Sequence, residues 1–195
     1  EQARTHYQQA LQIEVEFNDR YAQAATYLNL GIVAHELREF EQARTHYQQA
    51  LQIEVEFNDR YAQAGTYHQL GMVARQLREF EESRKNYQQA LQIKIEFNDR
   101  YEQARTYHQL GMVAQELREF EQARTYYEQA LQIYIEFNDR YAQASTHQQL
   151  GLLAEAEGTQ AEAKTCLQKA LEIFVKLDDE HNIALAQQHL DRLSS

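Results

Sequence analysis

Residues 1–24, EQARTHYQQALQIEVEFNDRYAQA, recur unchanged at 41–64, and close variants begin at 81 and 121. The period is 40 residues. A repeat of this size marks a stack of two-helix units, since one unit cannot bury its own apolar face and needs neighbours to do so. Composition agrees with helix: the chain has no Pro and no Trp, only 6 Gly, and is rich in Ala, Gln, Glu, Leu and Arg. The fold class read from this is all-α.

Within one unit, Ala64, Tyr67, Leu70, Gly71, Ala74 and Leu77 fall three and four apart, which is one face of a helix over 60–77. Ser83, Tyr87, Ala90, Leu91 and Ile93 do the same for a second helix over 80–97. These are helix A and helix B. Between units stand Asn18-Asp19, Asn58-Asp59, Asn98-Asp99 and Asn138-Asp139, where Asn tolerates a left-handed backbone and Asp caps the next helix. The short string from Leu77 to Phe80 forces an antiparallel hairpin. The expected organisation is an orphan helix B at 1–17, repeats at 20–57, 60–97, 100–137 and 140–177, and a capping helix at 179–193.

Several function classes drop out. A net charge of −11 with no block of Lys and Arg opposes a phosphate backbone, so nucleic acid is not an expected partner. No apolar run nears the roughly 20 residues of a membrane span. Cys166 is the only cysteine, which excludes an intrachain disulfide and fits a reducing, cytoplasmic setting. Glu1 in place of Met, with no signal peptide, leads to the expectation of a piece of a longer protein whose C-terminus is near Ser195.

No GxSxG, P-loop or GxGxxG is present, so neither catalysis nor a cofactor is expected. His68 and His108 repeat in successive units without a third ligand, which makes polar surface residues a better reading than a metal pair. Glu54 and Glu56 point about 200° apart on a helix and read as surface charge.

Tyr27, Leu30, Gly31, Ala34, Phe40, Ala43, Tyr47, Ala50 and Leu51 resemble the tetratricopeptide repeat, and the pattern returns at Tyr67 to Ala90 and at Tyr107 to Ala130. The resemblance implies a right-handed superhelical solenoid of antiparallel helix pairs. Gly31, Gly71, Gly111 and Gly151 would allow helices A and B to cross closely, and tyrosines such as Tyr67 would fill the space between them. The usual period is about 34 residues, whereas here helix B continues through Val55 and Phe57 without Pro. That longer unit is similar to repeats of Pins/LGN-type spindle-orientation adaptors and of bacterial STAND NTPases with sensor arrays.

The fourth unit is degenerate: His147 and Leu167 replace aromatics, and Gly158 enters the turn. Asp191 stands where the next repeat glycine would be, as suits a solubilising cap. At the other end Tyr7, Ala10 and Leu11 lack a helix A, so upstream repeats or self-association should cover them.

In the family it resembles, the outer face of helix A lines a concave groove. Here that face holds Ile32, Met72, Met112 and Leu152, flanked by Leu28, His68 and His108 and by Asn29, Gln69, Gln109 and Gln149. Arg75 lies at its edge without the basic cluster that a receptor for chaperone tails needs. An apolar stripe beside side-chain amides suits a protein or peptide segment, either extended or an amphipathic helix. The other readings are a solvated spacer, a sensor or oligomerisation arm of a larger NTPase or protease, and a self-assembling array.

Overall fold

A computed structural model describes residues 2–193, which form ten helices with no strand among them. Glu1, the first residue of the expected orphan helix, and Ser195, the expected C-terminus, lie outside the described residues. The helices are α1 (Gln2–Glu16), α2 (Arg20–Glu36), α3 (Phe40–Glu56), α4 (Arg60–Gln76) and α5 (Phe80–Glu96). There follow α6 (Arg100–Glu116), α7 (Phe120–Glu136), α8 (Arg140–Glu157), α9 (Gln160–Lys176) and α10 (Glu180–Arg192). The chain divides into two compact units, 1–98 and 99–195, and within each unit every helix packs on the next in sequence.

Every B-to-A junction uses the same local chemistry. Asn18, Asn58, Asn98 and Asn138 are left-handed, at φ 55°, 54°, 54° and 54°. At 58 the Asn N–H donates to the Val55 carbonyl and the Asp59 N–H to the Glu54 carbonyl, at 3.0 and 2.8 Å, closing the end of α3. Asp59 then accepts from the Ala62 N–H at 3.0 Å and starts α4.

The A-to-B turn is built the same way with an unexpected residue. Arg38, Arg78 and Arg118 take the left-handed position at φ 61°, 62° and 62°, although only Gly occupies it without steric penalty. Arg78 and Arg118 lay their guanidinium groups over Phe80 and Phe120, each 5.8 Å from the ring centroid. Forty residues past Arg118 the position is Gly158, at φ 80°. That glycine is therefore the residue best suited to the turn rather than a sign of decay.

Helices A and B cross where a side chain is missing. A Cβ on Gly31 would sit 2.4 Å from the Tyr47 ring, one on Gly71 2.8 Å from Tyr87, and one on Gly111 2.6 Å from Tyr127. At Gly151 the obstacle is Leu167, at 2.7 Å. Tyr47, Tyr87 and Tyr127 are completely buried, whereas Tyr67, expected to fill this space, is half-buried. The interhelical ring thus comes from helix B, because only that ring lies against the glycine.

A second correction concerns Glu54, which is buried rather than surface charge. It accepts from the Thr66 hydroxyl at 2.8 Å, while its Oε2 has no partner. Burial raises its pKa and the Thr66 bond opposes that shift. Beside it, Gln63 is 4% exposed and donates to the Glu54 carbonyl at 3.1 Å, tying the start of α4 to the end of α3. Gln23 and Gln143 repeat that bond onto the Glu14 and Tyr134 carbonyls, at 3.2 and 2.9 Å.

Candidate functional site

The helix-A face divides between the two units. In the first, Leu28, Asn29 and Ile32 on α2 and Gln69 and Met72 on α4 are half-buried. Leu28 and Ile32 lean on the cluster of Ala34, Ala43, Tyr47, Leu70 and Val73, which secures their inner edges and leaves the outer ones accessible. In the second, His108, Gln109 and Met112 on α6 and Gln149 and Leu152 on α8 are half-buried too. Met112 leans on the equivalent cluster around Tyr127, Leu150 and Leu153.

Two residues assigned to this face from sequence have packing roles. His68 is 7% exposed, edge-on to Tyr87 at 5.2 Å, with Lys94 Nζ 3.5 Å from its Nδ1, so little of the ring can meet a ligand. Arg75 hydrogen-bonds the buried Tyr87 hydroxyl, and its Nε is buried without a partner. Burial raises the Tyr87 pKa and keeps it a neutral phenol. The same position is Gln115 in α6, whose Oε1 accepts from the Tyr127 hydroxyl at 3.0 Å. Sequence periodicity put these side chains on the right helix but could not show how far a long one folds back to a buried hydroxyl.

His108 keeps more exposure and ties two A helices of the second unit together, its Nδ1 lying 3.1 Å from the Thr146 hydroxyl. Cys166 is half-buried and burial pushes its thiol up, away from the thiolate that reactivity needs. Among the described residues no group of three or more His, Cys, Asp or Glu could hold a metal ion. Among them, too, no helix is long and apolar enough to cross a membrane.

The end helices differ in cover. On α1 no residue is buried: Tyr7, Ala10 and Leu11 are half-buried, whereas Tyr47 and Ala50, their counterparts on α3, are fully enclosed. On α10, Ala186 is buried and Ile183 packs against the cluster around Phe174, with Asp191 exposed.

Comparison with solved structures returns the same architecture. BtubC (BKLC) from P. vanneervenii is similar at TM-score 0.84 and 20% identity, over 98% of this chain and 82% of that one. RapI in its apo form is similar at TM-score 0.81 and 20% identity, over 87% of this chain and 62% of its own. A STAND protein with a tetratricopeptide repeat sensor, PH0952 from Pyrococcus horikoshii, is similar at TM-score 0.81 and 17% identity. That match covers 88% of this chain and 27% of the larger protein. No curated protein matches by sequence. The family model for the tetratricopeptide repeat matches residues 1–53, 62–136 and 102–176, most of the sequence. With its glycine-to-ring crossings and consecutive antiparallel helix pairs, this all-α chain belongs to the tetratricopeptide repeat family.

Proposed function

We propose that the chain is a non-enzymatic scaffold that takes a protein or peptide segment along its A helices, α2, α4, α6 and α8. The family is a protein-interaction scaffold, generally without chemistry of its own, and that much comes with membership. The observation that supports the finer reading is the partial exposure of Asn29, Ile32, Gln69, Met72, Gln109, Met112, Gln149 and Leu152 on those helices. Apolar side chains anchored on one edge and open on the other offer area to a ligand without reorganisation, and neighbouring amides can pair with its backbone. The repeats at 20–57, 60–97, 100–137 and 140–177 are the binding modules in this reading, 179–193 closes them, and the setting is cytoplasmic.

The test starts from a pull-down with the full-length protein to identify the partner. Met72→Glu combined with Gln109→Ala is then expected to weaken its binding. Unchanged affinity, with helical content retained by circular dichroism, ends the groove reading.

A second reading has its own support at the N-terminal end, where Ile13 on α1 is 56% exposed and Phe17 just after that helix 80%, against 1% and 51% for their counterparts Ile53 and Phe57. That face, with Tyr7, Ala10 and Leu11, would be covered by a second copy or by upstream repeats, as in an arm of a larger assembly such as a STAND sensor. Light scattering decides whether it is a second copy: a mass independent of concentration rules out self-association.

A further inference from the structure

The fourth repeat carries a charge reversal that the three before it lack. In those, the arginine that opens helix A reaches the glutamate that ends helix B: Arg20 to Glu56 at 3.0 Å, Arg60 to Glu96 at 3.0 Å and Arg100 to Glu136 at 2.8 Å. Forty residues on, Arg140 opens α8 and Lys176 ends α9. Arg140 still donates to Gln143 Oε1 at 3.1 Å, as Arg20 and Arg60 do to Gln23 and Gln63, but it has no ion pair among the described residues.

Two more exchanges fall in the same place. Lys169 stands where Gln49, Gln89 and Gln129 stand in the other repeats, and His147 replaces Tyr27, Tyr67 and Tyr107. Arg140, His147, Lys169 and Lys176 line one cavity of about 370 Å³, formed by the end of α7 with α8 and α9 inside the second unit. Glu172 is the one carboxylate on its wall. Three fixed cations against one anion is a local excess of positive charge, in a chain whose net charge is −11.

The histidine supplies an independent sign of an unmet partner. Its Nδ1 is buried with no hydrogen bond. Burial first, then Lys169 and Arg140, lower its pKa from 6.5, so the ring is neutral at neutral pH. Three cations against one carboxylate is an excess that an oxyanion would relieve, and the His147 tautomer with its proton on Nδ1 has a donor to offer it.

We propose that this cavity binds a phosphate group, free or carried as a monoester, gripped by Arg140, Lys169 and Lys176 with His147 at its side. The guanidinium fork and two ammonium groups supply donors enough for a tetrahedral anion, and a dianion matches the net charge of the wall better than a carboxylate does. The site is separate from the proposed groove: on α8, His147 lies roughly 200° around the helix from Gln149.

Titration of the isotopically labelled chain with inorganic phosphate, O-phosphoserine and acetate tests this by NMR. Phosphate and phosphoserine are expected to shift the Lys169, Lys176 and His147 signals saturably. Tighter binding of phosphoserine assigns a peptide-borne phosphate and tighter binding of the free ion assigns inorganic phosphate, and either supports the site. Lys176→Glu rebuilds the Arg–Glu pair that three repeats already carry, so the fold should survive while phosphate affinity drops about tenfold or more. Lys85→Glu, on the exposed face of α5, should leave binding unchanged. Equal losses in the two variants, no loss in Lys176→Glu, or acetate binding as tightly as phosphate would overturn the proposal.

Discussion

One position separates the two units of the chain more sharply than any other. Two residues before the end of helix B, the first unit buries Glu54 and Lys94, at 5% and 4% exposure, and the second buries Tyr134 and Phe174, at 4% and 0%. The backbone around the position does not change: Gln63 donates to the Glu54 carbonyl at 3.1 Å and Gln143 to the Tyr134 carbonyl at 2.9 Å. The side chain's surroundings do. Glu54 depends on Thr66, while the matching Thr146 in the second unit turns to the carbonyl of Ala142, at 2.8 Å, and to His108. Phe174 instead joins a cluster with Ala144, Ala170 and Ile173. Helix placement is thus set by glutamine side chains bonded to main-chain carbonyls and by small residues, and the slot between them can hold either a charge or a ring.

The largest test of that contrast removes the ring. Phe174→Ala should cost about 3–5 kcal/mol in urea denaturation, since an enclosed aromatic leaves a cavity its neighbours cannot close. Glu54→Ala should cost much less, because it also removes a buried carboxylate oxygen without a partner. Equal losses would mean that the slot contributes the same in both units.

This slot also marks where the sequence stopped being readable. Helix ends were legible to within a residue or so, because Asn-Asp at the junctions acts through local backbone preference and capping. Glu54 was misread as surface charge because its burial is imposed from Thr66, a residue of the next helix, and no periodicity within α3 carries that information. Tyr67 and Tyr87 both fit the aromatic pattern, yet only the distance from Gly71 distinguishes wedge from flank. On the candidate groove, the apolar and amide positions could be named from 100° steps. The inward turn of Arg75 and the enclosure of His68 depend on partners on α5.

The crossing point gives the next effect in size. Gly71→Ala places a Cβ 2.8 Å from the buried Tyr87 ring and should cost about 1–3 kcal/mol through overpacking. Gly65, six residues earlier on the same helix, has nothing within 4 Å of a Cβ, so Gly65→Ala should stabilise by about 0.5–1 kcal/mol. Opposite signs on one helix, read by thermal or urea melts, separate steric demand from helix propensity. Loss of stability in both would show that α4 tolerates no added side chain and would break the account of the crossing.

Gly158 tests the turns, where the fourth repeat differs from the three before it. Its Cβ would meet nothing, so the only penalty for Gly158→Ala is the left-handed backbone at φ 80°, about 1 kcal/mol. Gly158→Asn should lose less, because Asn tolerates that region, as Asn58 already does at φ 54°. Identical melting curves for the two variants would detach the effect from backbone conformation.

Glu54→Gln should produce the smallest change, and it is the one that depends on pH. Burial raises the folded-state pKa of Glu54 above the ordinary 4.5, so at neutral pH the folded state holds an ionised carboxylate at a penalty the unfolded chain does not feel. That penalty is fully present above the folded pKa and is relieved as pH falls through it toward the unfolded value. The amide keeps an acceptor for Thr66 and carries no charge, so the variant should be more stable than the parent at pH 7. Its advantage should shrink as the pH approaches 4.5, because the parent takes up a proton there and the variant has none to take. Stability curves for the two proteins that stay parallel from pH 7 to that point would mean the carboxylate is solvated, and the charged slot of the first unit would then be no liability compared with the ring of the second.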